Sequence, residues 1–152
     1  SAGSSVLRYA SFKNEKNGEY SDVLILGNTA NIVYFSEKDI LIAVASDGRL
    51  VSVNKGIAKD ITDAVTEGSL SEVDNTDNGI TYIRNAVLYY ANVSSLRGMV
   101  MSEAGSNVST SGTLMYKNRL FYCNDKGSLC SCTVSGKDDK IIGEVDNFWF
   151  GK

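Results

Sequence analysis

Histidine is absent from this 152-residue chain. That removes Ser-His-Asp and Cys-His catalysis together with the commonest metal ligand. No apolar run approaches the roughly 20 residues a membrane helix needs, and the longest, such as Ile40 to Ala45, are the size of strands. There is no basic run either: the lysines and arginines are scattered through a chain of net charge −3, so the field that would hold a polyphosphate backbone is missing and nucleic acid is not an expected partner. No segment has apolar residues at the 3.6-residue period of an amphipathic helix. No cofactor motif stands out.

What is present is ordinary globular composition, 43% hydrophobic and 22% charged, with eight tyrosines and five phenylalanines. The opening Ser1-Ala2-Gly3-Ser4-Ser5 reads as a linker or cloning scar, and residues 6–152 are expected to form a single domain. Short β-rich runs follow one another between polar turns: Val6 to Phe12, Tyr20 to Leu26, Ile32 to Phe35, Ile40 to Ala45, Leu50 to Val53, Ile57 to Val65, Ile80 to Ile83, Val87 to Val93 and Met99 to Ser102. Thr66 to Asn78 is polar throughout and reads as one long loop. The clearest stretch is Leu114 to Val134, three strands joined by Lys117-Asn118 and by Asp125-Lys126-Gly127, with Gly127 at the loop position that adopts the left-handed region. Lys140 to Val145 and Asn147 to Phe150 complete the rhythm.

The rhythm repeats. One copy runs through Tyr34, Leu41, Asp47-Gly48, Leu50, Gly56, Ile61 and Val65, and another through Tyr116, Leu120, Lys126-Gly127, Leu129, Gly136, Ile142 and Val145. A fainter copy between them passes through Tyr82, Leu88, Gly98, Met99, Gly105 and Val108. Half a copy opens the chain, where Leu7 to Val23 matches Leu50 to Val65, and Phe148-Trp149-Phe150 begins another at the end. A period of about 40 residues over four short strands is the spacing of a propeller blade, whose two apolar faces must be buried against neighbours. The expected fold is therefore all-β, a propeller-like array of antiparallel units, three full and one split between the termini, either closed as a small ring or a piece of a larger propeller completed by self-association.

This order of Tyr strand, short turn, Leu strand, Asp-Gly or Lys-Gly turn, Leu strand, then Ile and Val, from about Leu7 to Phe150, resembles the bacterial propeller repeats grouped with low-density-lipoprotein-receptor-like propellers. The Tyr-Trp-Thr-Asp signature of the receptor propellers is missing, so no binding residue carries over. The resemblance implies an extracytoplasmic, non-enzymatic domain of a Gram-positive bacterium.

Cys123, Cys130 and Cys132 invite a soft-metal reading. The register set by Gly127 instead puts Cys130 and Cys132 on one strand face with Tyr122 and Leu120, at the positions of Val51 and Val53, where they serve as small apolar core residues. The acidic stretch Asp74 to Gly79 has oxygen ligands but neither the spacing nor the closing Glu of a calcium loop. Asn92-Val93-Ser94 and Asn107-Val108-Ser109 match the glycosylation sequon by chance in a bacterial chain. Tyr89, Tyr90, Tyr122 and Trp149 are the candidate ligand-stacking aromatics, with packing between blades as the competing reading. Carboxylate pairs such as Asp138-Asp139 and Glu144-Asp146 are candidates for acid/base work. The expected function is a non-catalytic binding or structural module with a protein or glycan ligand, and the alternative is a carbohydrate-active propeller enzyme using those pairs.

Overall fold

The structure is a computed structural model, and it describes residues 6–9, 12–14, 16–20, 24–74, 78–92 and 100–144. These are strands and turns with one short 3-10 turn at Ser36–Lys38, and none of the described helices is long and apolar enough to cross a membrane. The chain falls into two compact parts, Ser1–Glu67 and Gly68–Lys152.

The first part holds β1 (Val6–Tyr9), the small hairpin β2 (Phe12–Asn14) and β3 (Glu19–Tyr20), then β4 (Leu24–Phe35), β5 (Ile40–Ala45), β6 (Leu50–Asn54) and β7 (Ile57–Thr62). Apart from the hairpin they form one antiparallel sheet in the order β1-β4-β5-β6-β7. Ile42, Ala43, Val44 and Ala45 are all buried although successive residues of a strand point to opposite faces, so β5 is covered on both sides. Its last strand, β7, is largely exposed. The expected strand over Ile57 to Val65 is thus present, ending at Thr62.

The second part holds two four-stranded antiparallel meanders. One comprises β8 (Ser71–Asp74), β9 (Gly79–Arg84), β10 (Val87–Asn92) and β11 (Val100–Ser106); the other comprises β12 (Val108–Tyr116), β13 (Arg119–Asn124), β14 (Ser128–Thr133) and β15 (Lys140–Glu144). The expected loop over Thr66 to Asn78 therefore contains a strand: Ser71 and Glu72 pair with Thr81 and Ile80, because ladder hydrogen bonds to β9 outweigh a polar composition. The two meanders share a core of Ile83, Leu88 and Tyr90 from one and Val108, Leu120, Tyr122, Cys130 and Cys132 from the other. Asn85-Ala86 and Lys117-Asn118 both have positive φ at each residue, the two-residue turns whose twist suits a hairpin.

One device recurs in each of the three larger sheets. Leu7 pairs with Gly27, Leu50 with Thr62, Leu88 with Gly105 and Leu129 with Gly143, and immediately beyond each pair the register slips by one residue. Leu26, Ile61, Ala104 and Ile142 are the extra residues of these bulges. Leu7 and Leu50 thus hold matching places in their strand pairs, as do Ile61 and Ile142. Leu88 holds the place of Leu50 and Leu129, on the third strand of its meander, rather than the place of Leu41 and Leu120 expected from the sequence, so the sequence frame of the middle copy is one strand out. The strand that the sequence frame overlooked is β8. The long strands explain the slip in frame, since β4 pairs with β1 along its first half and β5 along its second, and only Asn107 separates β11 from β12. β1 joins the first sheet directly. The terminal run Asn147 to Phe150, expected to complete the split unit, lies outside the described residues.

Candidate binding cleft

Residues at one end of the last meander enclose a cleft of about 350 Å³. Its lining comes from the β11–β12 junction (Asn107), β13 (Tyr122, Asn124), the loop residues Asp125 and Lys126, β14 (Ser128, Cys130), Asp139 and β15 (Ile141). Local chemistry fixes each wall. The three-residue loop closes with Gly127 at φ 76°, as its sequence requires, and Asn124 holds it by accepting the backbone N–H groups of Lys126 (3.0 Å) and Ser128 (2.8 Å) on its amide oxygen. The Asp125 N–H donates to the Asn107 carbonyl at 2.8 Å, tying the loop to the neighbouring junction.

The opposite wall is pinned by Arg119. Its guanidinium donates to the Ser131 carbonyl and hydroxyl, to the Asp138 carbonyl at 2.9 Å and to the Asp138 carboxylate at 3.0 Å. That clamp presents the next residue, Asp139, to the cleft, where its Oδ1 accepts the Tyr122 hydroxyl at 2.8 Å. Tyr122 sits opposite Cys130 across the ladder and is fully buried except for this polar end.

The electrostatics separate the groups by role. Burial, then the bond to Asp139 and its charge, push the Tyr122 phenol far above its ordinary value. Burial, followed by the Asp139 charge, also raises the Cys130 thiol and lifts Cys132 to about 12. Both stay protonated at neutral pH and are poor nucleophiles. Lys140 and Arg119 hold the Asp138 carboxyl below its usual range, in an ion pair that is exposed and screened.

The cysteines are all buried and none is in a disulfide, with Cys130 opposite Tyr122 and Cys132 opposite Leu120. Of the candidate aromatics, Tyr122 contributes its hydroxyl to the cleft, and Tyr90 lies with it in the shared core. Tyr89 points to the other face of its strand and stacks on Tyr82, centroids 5.4 Å apart and planes 8° from parallel. Trp149 lies outside the described residues. The pair Asp138-Asp139 is split, one residue clamped to cations and the other turned to Tyr122; Glu144 is exposed on β15, and Asp146 lies outside the described residues. Residues 75–77 of the acidic stretch also lie outside them. Among the described residues no three His, Cys, Asp or Glu side chains converge as metal ligands would.

Asn107, Asn124, Lys126 and Ser128 escaped the sequence reading as site residues. The available signal was Asn124 before Asp125-Lys126-Gly127, an Asx-turn pattern that fixes a loop without announcing a cleft. No protein-family model matches this chain, and no curated protein matches its sequence.

Proposed function

We propose that the meanders are blades of a propeller-like repeat array, and that the chain serves as a non-catalytic binding module of a bacterial extracytoplasmic protein with a glycan or protein ligand seated in the cleft. The observation that carries this reading is the bulged hairpin that recurs at Leu7, Leu50, Leu88 and Leu129. Their spacings of 43, 38 and 41 residues are those of stacked units of one kind. The burial of successive residues on β5 and β9 supports stacking on both sheet faces. Buried, protonated thiols suit export without a disulfide, since they offer little thiolate to oxidants.

The cleft chemistry favours binding over turnover. Acid/base hydrolysis needs one carboxylic acid held neutral beside an ionised partner, and Asp138 is displaced in the ionised direction by two cations. What remains is a set of hydrogen-bonding groups, two Asn amides, the Asp125 and Asp139 carboxylates, the Lys126 ammonium and the Ser128 hydroxyl, against the apolar wall of Ile141. Such a set suits a ligand rich in hydroxyl or amide groups.

Calorimetric titration with panels of oligosaccharides and peptides tests this. Binding without turnover is expected, weakened at least tenfold by Asp139→Asn or Lys126→Ala. Hydrolysis of any glycoside that is abolished by Asp138→Asn or Glu144→Gln would establish the carbohydrate-active enzyme instead.

A further inference from the structure

β15 is the outermost strand of its meander, and among the described residues nothing pairs with its free edge. Its sequence, Lys140-Ile141-Ile142-Gly143-Glu144, leaves Ile141 72% and Ile142 55% exposed. Natural edge strands are guarded by charges and bulges against indiscriminate pairing. β15 has both, a lysine and the bulge at Ile142. It also has a charge order that inverts about Ile142, which admits one particular partner.

We propose that β15 pairs antiparallel with β15 of a second copy of this chain, about a two-fold axis through Ile142. In that register Lys140 of each copy stands opposite Glu144 of the other, so both ends of the ladder carry opposite charges, an arrangement that strengthens cross-strand pairs. Ile141 of each copy falls opposite Gly143 of the other. A Cβ built on Gly143 has nothing within 4 Å, so the space over this glycine is open to receive the isoleucine. The two Ile142 residues meet at the centre. Lys140 reaches Asp138 at 3.1 Å in the single chain, and Asp138 keeps its Arg119 partner when Lys140 is shared.

The comparable edge, β7, is a poorer candidate. Ile57 is 73% exposed there, but Asp60 is already held by Arg49 at 3.3 Å, and Lys59 adjoins it at the strand centre rather than at its ends.

Sedimentation of the full chain over a concentration series tests the proposal. Growth from 16.4 kDa to twice that mass is expected. Lys140→Glu and Glu144→Lys, both exposed substitutions whose folding circular dichroism verifies, should each weaken the dimer at least tenfold by facing like charges at both ends. An equimolar mixture of the two variants restores opposite charges at both ends and should recover association as a heterodimer. Lys59→Glu on β7 should leave the dimer unchanged. Without any variant, amide exchange along β15 should slow as concentration rises. A chain that stays monomeric throughout, a dimer that both charge variants leave intact, or a mixture that stays monomeric would overturn the proposal.

Discussion

Gly105 is a glycine because Tyr122 occupies the place of its side chain. A Cβ there would lie 2.7 Å from the phenol Cζ and Oη, closer than real contacts allow. The ring cannot swing aside, since it is buried in the shared core and its hydroxyl is bonded to Asp139. Gly105→Ala should therefore cost about 1–3 kcal/mol by overpacking, read as a lower urea midpoint. Thr81 is the opposite case. It is fully buried on β9, and its hydroxyl finds no partner among the described residues. Thr81→Val keeps the shape and removes an uncompensated polar atom, and should raise stability by about 1 kcal/mol in the same measurement. Neither effect is legible in the sequence, where Gly105 reads as a turn and Thr81 as an unremarkable strand residue.

At the scale of elements, bulged hairpins recur and some of their turns carry strain. Ala86 holds φ 62° in the two-residue turn before β10, and its carbonyl accepts the Val108 N–H at 2.9 Å. A Cβ in the left-handed region costs about 1–2 kcal/mol, which outweighs the extra chain entropy glycine brings to the unfolded state. Ala86→Gly should thus stabilise the protein by roughly 0.5–1 kcal/mol, seen as a rise in Tm of a few degrees. Turn chemistry also explains how much of the repeat could be read. Asp47-Gly48 and Lys126-Gly127 mark equivalent loops openly, so the outer two copies align in frame with their sheets. The equivalent turn in the middle meander is Asn85-Ala86, which lacks glycine, and β8 is polar. With both cues muted, leucine spacing alone put Leu88 in the wrong strand. The cleft was still less legible, because Asn107, Asn124 and Asp139 come from a strand junction, a strand end and a loop that lie well apart in the chain.

For the whole molecule, the buried acids set an alkaline limit. Tyr82 is raised to about 12 and Cys132 to about 12, in each case chiefly by burial, and Tyr122 is raised further. Unfolded, these groups lose their protons near their ordinary values of roughly 10 and 8.5, so above those values the folded chain binds more protons than the unfolded one. Stability from this source is complete below about pH 8 and declines as pH rises toward 12. Thermal melts should show Tm falling steeply above pH 10, and Tyr82→Phe should make that fall shallower.

Local pattern in the chain was enough to read the strand rhythm, the all-β class and the burial of the cysteines, because alternation and turn residues act through neighbours a few positions apart. Long-range contacts were needed to show which strand opens the middle sheet, why position 105 must be bare, and that Tyr122, Asn124 and Asp139 meet around one cleft. Those outcomes depend on which strands lie side by side and on the depth to which facing side chains interlock. Contacts of that kind join residues far apart in the chain and leave no local pattern to read.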